Sequence, residues 1–397
     1  METPTQTEAA NTTDEGPDNW LVLSDPDITT DELEAVVMTL RSNQLSAGPL
    51  VTGFEQAMAN YIGRQHAAAV ASGTLGACLV LKVMGIGPGD EVITSAYAWH
   101  QIAHAITIVG ATPILADIDY WSGCIDPAKA ADKISLRTKA ILASNVNGHP
   151  ADWQGLRALA DQHGLKLIED STEAIGSRYQ GQLTGSFGDV AIFDFSQPSA
   201  LCCGQGGMVL TDAPKIASEL GYLRERRISD RNSVSVGSRV PWQASMSDLD
   251  AAIGLAQLKR IDEILMKRKQ VESWYHTQMQ SFEGIKPPYL AENIDEVHWM
   301  LYKIHLGKRF TGSARNQIIE DMDSNSVESA IYCVPLHQQF HYQQSGWHRG
   351  LLPNTERIAD RSLTLPFHTH LDEDEVKYIV KTLKDASVNV GAGAAIY

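Results

Sequence analysis

Three short stretches of the chain carry side chains suited to chemistry. The turn Ala71-Ser72-Gly73-Thr74 follows a β-rich run and opens a helical pattern at Leu75. Small residues at a helix N-terminus leave backbone N–H groups and the positive end of the helix dipole facing outward, an arrangement that takes an anion such as a phosphate. Ser and Thr in such a place serve more often as plain caps. The stretch Leu167-Ile168-Glu169-Asp170-Ser171-Thr172-Glu173 ends an apolar run on acids. A carboxylate buried at a strand end needs a partner, so this stretch points to a bound group as well as to local capping. Phe193-Asp194-Phe195-Ser196-Gln197-Pro198-Ser199 runs on to Gly204-Gln205-Gly206-Gly207 and adds another acid and two hydroxyls. Trp99 offers a flat apolar face at the head of a further helical pattern.

Other candidates read more simply. His100 and His104 are four residues apart on one helical face, but a third metal ligand is missing and a solvated or core pair is the plainer reading. Gly85-Ile86-Gly87-Pro88-Gly89 lacks the G-x-G-x-x-G spacing and precedes a strand, so it is a turn rather than a dinucleotide loop. Cys202 and Cys203 have no identifiable activating histidine and read as small buried residues.

These groups must be positioned by alternating strands and helices. Strands are expected at residues 67–71, 91–95, 114–118, 140–145, 166–170, 190–195 and 208–211, with helices between most of them at 75–84, 99–109, 153–163 and 213–224. That alternation predicts an α/β fold built on a mostly parallel sheet covered on both faces, with ligands beyond the carboxyl ends of the strands. Residues 1–19 are expected to form a disordered acidic tail. A large α/β domain should span 20–248, and residues 249–397 should hold a connecting helix, roughly 248–282, and a small α/β domain built on it. In the small domain, strands are expected at 302–306 and 330–334, and helices at 314–322 and 373–383.

The 397 residues carry 48 acidic and 32 basic side chains, a net charge of -16. With no basic run, counterion-release binding to nucleic acid is not expected. No apolar stretch is long enough to span a membrane. The five cysteines lack C-x-x-C spacing and suit a reducing cytoplasm.

Taken together, these stretches resemble the DegT/DnrJ/EryC1/StrS family of sugar aminotransferases, in fold-type I of the pyridoxal 5′-phosphate (PLP) enzymes. The family's F-S-F-x-x-x-K-x-L-x-x-G-E-G-G segment aligns with residues 193–207, its D-E-V-I-V-P-S-x-T-[FW] with residues 90–99, and its E-D-x-x-[QH]-[AS] with residues 169–174. Gly110-Ala111-Thr112-Pro113, Gly148-His149-Pro150-Ala151-Asp152 and Gly185-Ser186-Phe187-Gly188-Asp189 extend the match, in the family's order, over roughly residues 27–383. The resemblance implies that Gly73 and Thr74 hold the cofactor phosphate, that Trp99 stacks on the pyridine ring, and that Asp170 keeps the ring nitrogen protonated. Glu173 stands where the family places the residue beside the ring hydroxyl. A homodimer is also implied, because sites of this fold are completed across the subunit interface.

At the site itself the pattern departs. Ser199 stands in place of the Schiff-base lysine, Asp194 in place of a phosphate-binding serine, and Gln243 in place of an asparagine lent by the partner subunit; Ser245 stands where an arginine is common. Ser196 and Ser199 are replacement donors for a phosphate. Serine forms no imine, so ordinary transamination is not expected. The resemblance then implies an enzyme of amino-sugar or specialised-metabolite biosynthesis acting on a keto-sugar or amine metabolite. PLP or pyridoxamine phosphate (PMP) would be held non-covalently, elimination or dehydration would be favoured, and Ser199, Glu173, Asp194, His100 and His337 are candidate reacting groups. Two other readings are an enzyme that reuses the cleft without the cofactor and a non-catalytic partner of an active paralogue.

Overall fold

A computed structural model describes residues 20–225, 240–280 and 284–390; the tail expected over 1–19 lies outside them. The first helices among the described residues are α1 (Thr30–Leu40) and α2 (Pro49–Ile62). Thr29 and Glu32 form a reciprocal capping box that fixes the start of α1. Strands β1 (His66–Val70), β2 (Glu91–Ser95), β3 (Thr112–Ala116), β4 (Thr138–Ser144) and β5 (Lys166–Asp170) then alternate with α3 (Gly73–Val83), α4 (His100–Ile108), α5 (Pro127–Ala131) and α6 (Trp153–His163). A short hairpin, β6 (Arg178–Tyr179) and β7 (Gln182–Leu183), precedes β8 (Val190–Asp194), β9 (Gly207–Thr211) and α7 (Pro214–Arg224).

Seven strands make one sheet in the order β1-β9-β8-β5-β4-β2-β3. Only β9 runs against its neighbours, β1 and β8. The two-residue period of a strand divides the side chains between two cores. Val190 and Ile192 face Leu79 and Val80 of α3, while Ala191 and Phe193 face Phe54 and Met58 of α2. Each such fully buried leucine or phenylalanine contributes about 1.5–3 kcal/mol. The alternation also parts neighbouring acids, sending Glu169 and Asp170 to opposite faces of β5.

Helices α8 (Asp248–Lys259) and α9 (Ile261–Met279) follow. The single helix expected over 248–282 is therefore two, parted at Arg260. That arginine leaves helical geometry and binds Asp27 at 2.6 Å and Glu32 at 3.0 Å. The C-terminal part has an antiparallel sheet of β10 (Ile285–Lys286), β11 (Tyr302–Leu306) and β12 (Ser362–Leu365), with α10 (Gly312–Ser324), α11 (Phe340–Gln343), α12 (Pro353–Asp360) and α13 (Glu373–Asn389). The strand expected over 330–334 is reduced to one bridge, Ala330 to Thr364. There the chain turns inward: Tyr332 reaches Glu173, and the Leu336 N–H bonds the Ala96 carbonyl at 3.0 Å. Residues 21–23 lie against this C-terminal part, with the Leu21 N–H on Ser326 O at 2.9 Å.

Glu169 fixes the floor of the strand-end region. Its fully buried carboxylate accepts N–H groups from Gly185 (2.6 Å), Phe187 (2.8 Å) and Gly188 (3.2 Å), and hydrogen bonds from Ser171 Oγ and Asn145 Nδ2. Removing it strands those donors in the core. Glu169→Ala is therefore expected to cost about 3 kcal/mol in urea unfolding; a loss below about 1 kcal/mol would show that water or a shifted loop satisfies them instead.

Candidate functional site

The carboxyl ends of β1, β2, β5 and β8 open into one cleft. Gly73, Thr74, Trp99, Asp170, Glu173, Asp194 and Ser196, all singled out from the sequence, line it together. Gln101, Thr172 and Met300 line it too, and sequence reading missed them. Ser199 and Gln243 are not among the lining residues. Ser199 Oγ accepts the Leu201 N–H at 3.3 Å, and Gln243 is exposed. His337 is buried against Glu356, 3.0 Å away, outside the cleft lining.

Asp170 ends β5, and its Oδ1 accepts the Thr172 N–H at 3.1 Å and the Thr172 hydroxyl at 2.6 Å. Burial nonetheless raises its pKa, with the nearby Asp194 charge adding in the same direction. Glu173 lies one turn further on. Burial pushes its pKa up to about 7, although Oε2 accepts hydrogen bonds from the Tyr332 hydroxyl and the Asn147 N–H. Behind this carboxyl, the Lys303 ammonium lies over the rings of Tyr97 and Tyr332, 5.2 and 5.0 Å from their centroids. Burial lowers the Lys303 pKa to about 8. Asn147 also bonds Leu301 through both its amide oxygen and its amide nitrogen, each at 3.0 Å, which places Met300 at the cleft wall.

The other acid, Asp194, sits at the end of β8 against the start of α3. Its Oδ2 accepts the Gly73 N–H at 2.7 Å. Its Oδ1 accepts the Ser196 N–H at 2.9 Å and the Ser196 hydroxyl. A Cβ on residue 73 would come within 2.8 Å of Asp194 Cβ, so only glycine permits this approach. Ser72 caps the same helix through the Leu75 N–H at 3.2 Å. Cys202 and Cys203 are buried, and burial raises both thiol pKa values, which disfavours the nucleophilic thiolate. Among the described residues no cluster of His, Cys, Asp and Glu is arranged to hold a metal.

A mostly parallel seven-stranded sheet, a smaller C-terminal sheet and a cleft over the strand ends define the architecture of the sugar aminotransferases of PLP fold-type I. Residues 26–384 match the DegT/DnrJ/EryC1/StrS aminotransferase family, and the chain belongs to that family. It is 34% identical over 379 residues to the spore coat polysaccharide biosynthesis protein SpsC of Bacillus subtilis, covering 92% of this chain and 97% of that one. It is also 34% identical over 348 residues to the GDP-perosamine synthase of Caulobacter vibrioides, covering 86% and 91% respectively. The PMP form of Spr1654 from Streptococcus pneumoniae superposes with a TM-score of 0.89 at 27% identity, over 95% of this chain and 100% of that one.

The family's cofactor can be tested against these residues. Trp99, Asp170 and Thr172 make a flat, acid-backed end that suits a protonated aromatic ring. The other end does not suit the phosphate. Asp194 holds the first N–H of α3, and two like unit charges 4 Å apart repel by about 4 kcal/mol at an effective dielectric near 20. With its side chains as they stand, the cleft does not fit a phosphorylated cofactor.

Glu173 generates a stability prediction. Its folded pKa of about 7 lies above the ordinary 4.5. The stabilisation from its proton is therefore complete below pH 4.5 and lost as pH rises through about 7. Between those limits the wild-type chain should lose about 3 kcal/mol more unfolding free energy than Glu173→Gln. Parallel pH–stability curves for the two proteins would contradict the assignment.

Proposed function

We propose that this chain is a DegT-family enzyme of amino-sugar or specialised-metabolite biosynthesis that acts on a keto-sugar or amine metabolite by side-chain proton transfer and elimination, not by transamination. The observation that carries this reading is the Glu173 carboxyl, buried at the cleft wall with a pKa of about 7, where a general base and its conjugate acid are both available near neutrality. No lysine is among the residues lining the cleft, and the loop residue aligned with the family's Schiff-base position is Ser199, which has no amine to offer.

In this reading Glu173 removes a proton from the carbon beside a ketone. Asp170, kept towards its neutral form by burial, hydrogen-bonds the ketone oxygen as negative charge develops there. A hydroxyl on the next carbon leaves, takes the proton from Glu173 and departs as water, and an unsaturated ketone remains. Trp99 supplies an apolar face for the sugar ring. Helix α1 exposes Leu33, Val37, Met38 and Leu40, which supports a homodimer, and the exposed Gln243 suits a reach into the neighbouring subunit's cleft.

A GDP-linked keto-sugar incubated in D2O at pH 7 without added cofactor tests the reading by NMR. The wild-type chain should place deuterium beside the ketone or release water, and Glu173→Gln should slow this by about 10²–10⁴-fold. Absence of exchange, or formation of an amino sugar when PLP and an amine donor are supplied, would overturn it.

A further inference from the structure

We propose that Asp194 is a built-in occupant of the anion cup at the N-terminus of α3, so that the cleft refuses the phosphate arm of a phosphorylated ligand while its ring end stays open. This rests on the geometry of Asp194 alone, so it stands or falls separately from the proton-transfer reading.

The carboxylate is pinned at both oxygens. Oδ2 takes the Gly73 N–H at 2.7 Å, and Oδ1 takes the Ser196 N–H at 2.9 Å together with the Ser196 hydroxyl. The Asp194 backbone is fixed as well, since its N–H bonds Thr172 Oγ1 at 3.1 Å and its strand position pairs with Gly207. A carboxylate resembles one edge of a phosphate: it is anionic, with oxygens that accept from a backbone N–H and a hydroxyl. Here it has taken donors of the kind a phosphate would use. The contact is also tight, because a Cβ at residue 73 would meet Asp194 Cβ at 2.8 Å. A phosphate taking the Gly73 N–H or the Ser196 hydroxyl would have to displace the carboxylate from them, and it would then lie beside a like charge. Ser196, a replacement phosphate donor on sequence grounds, is spent on the same carboxylate. At the ring end, Trp99, Gln101, Asp170 and Glu173 still line the cleft.

Calorimetric titration of the full chain with PMP and with unphosphorylated pyridoxamine at pH 7.5 tests this without reference to activity. In the wild type, PMP should bind no more than tenfold tighter than pyridoxamine. Asp194→Ser should bind PMP at least tenfold tighter than the wild type, about 1.4 kcal/mol, with pyridoxamine affinity unchanged within about twofold. Asp194→Asn keeps the shape and removes the charge, and provides the same test should the serine variant fail to fold. A wild-type preference for PMP over pyridoxamine of more than tenfold would overturn the proposal. So would a gain below tenfold in the folded variants.

Discussion

The N–H groups that open a helix have no partner within it and must find one elsewhere. In this chain the first N–H of α3 finds the Asp194 carboxylate at 2.7 Å, and much of the cleft follows from that contact. It joins the end of β8 to the start of α3 and places a negative charge at the positive end of the helix dipole. It draws Ser196 inward and so sets the path of the loop towards Ser199. It also requires glycine at residue 73, since any side chain there would collide with the aspartate. A bound anion and a resident carboxylate are alternative ways to satisfy one helix terminus, and this sequence encodes the second.

Four acids close to one another have separate fates, decided by strand alternation and burial. Glu169 points away from the cleft and is saturated by backbone N–H groups, so its charge is spent on structure. Asp170 points into the cleft with Thr172 bonding one of its oxygens twice, and burial favours its protonated form. Glu173 is equally buried, near the Lys303 ammonium and bonded by the Tyr332 hydroxyl, and is poised close to neutrality. Asp194 is half-buried and anchored to α3. Dispersing the charge in this way keeps mutual repulsion small while leaving titratable groups at the cleft wall.

Much of this was legible in the sequence because the signals were local. Strands β2 and β5 fall where their β-rich runs predict them, and α6 lies between a capping Asp152 and a terminal Gly164. Glycine at 73, tryptophan at 99 and acids at 170, 173 and 194 converge because parallel strands deliver their carboxyl ends to one edge. The missed features depend on contacts distant in sequence. Nothing near Arg260 shows that Asp27 and Glu32 draw it out of a continuous helix. Nothing in residues 330–334 shows that Tyr332 leaves a strand for Glu173. Met300 is held at the cleft by contacts distant in sequence, with Asn147 gripping Leu301 from 154 residues away and Arg268 bonding the Met300 carbonyl. The aspartate at 194 was visible as an acid in place of a phosphate-binding serine; that it fills the cup itself required the position of α3.

The most direct test is a crystal structure of the wild-type chain grown near neutral pH and soaked with PMP. The account predicts an Asp194 carboxylate within hydrogen-bonding distance of the Gly73 N–H and no phosphate at the N-terminus of α3. A phosphate group on Gly73 and Thr74, with Asp194 turned away, would contradict it.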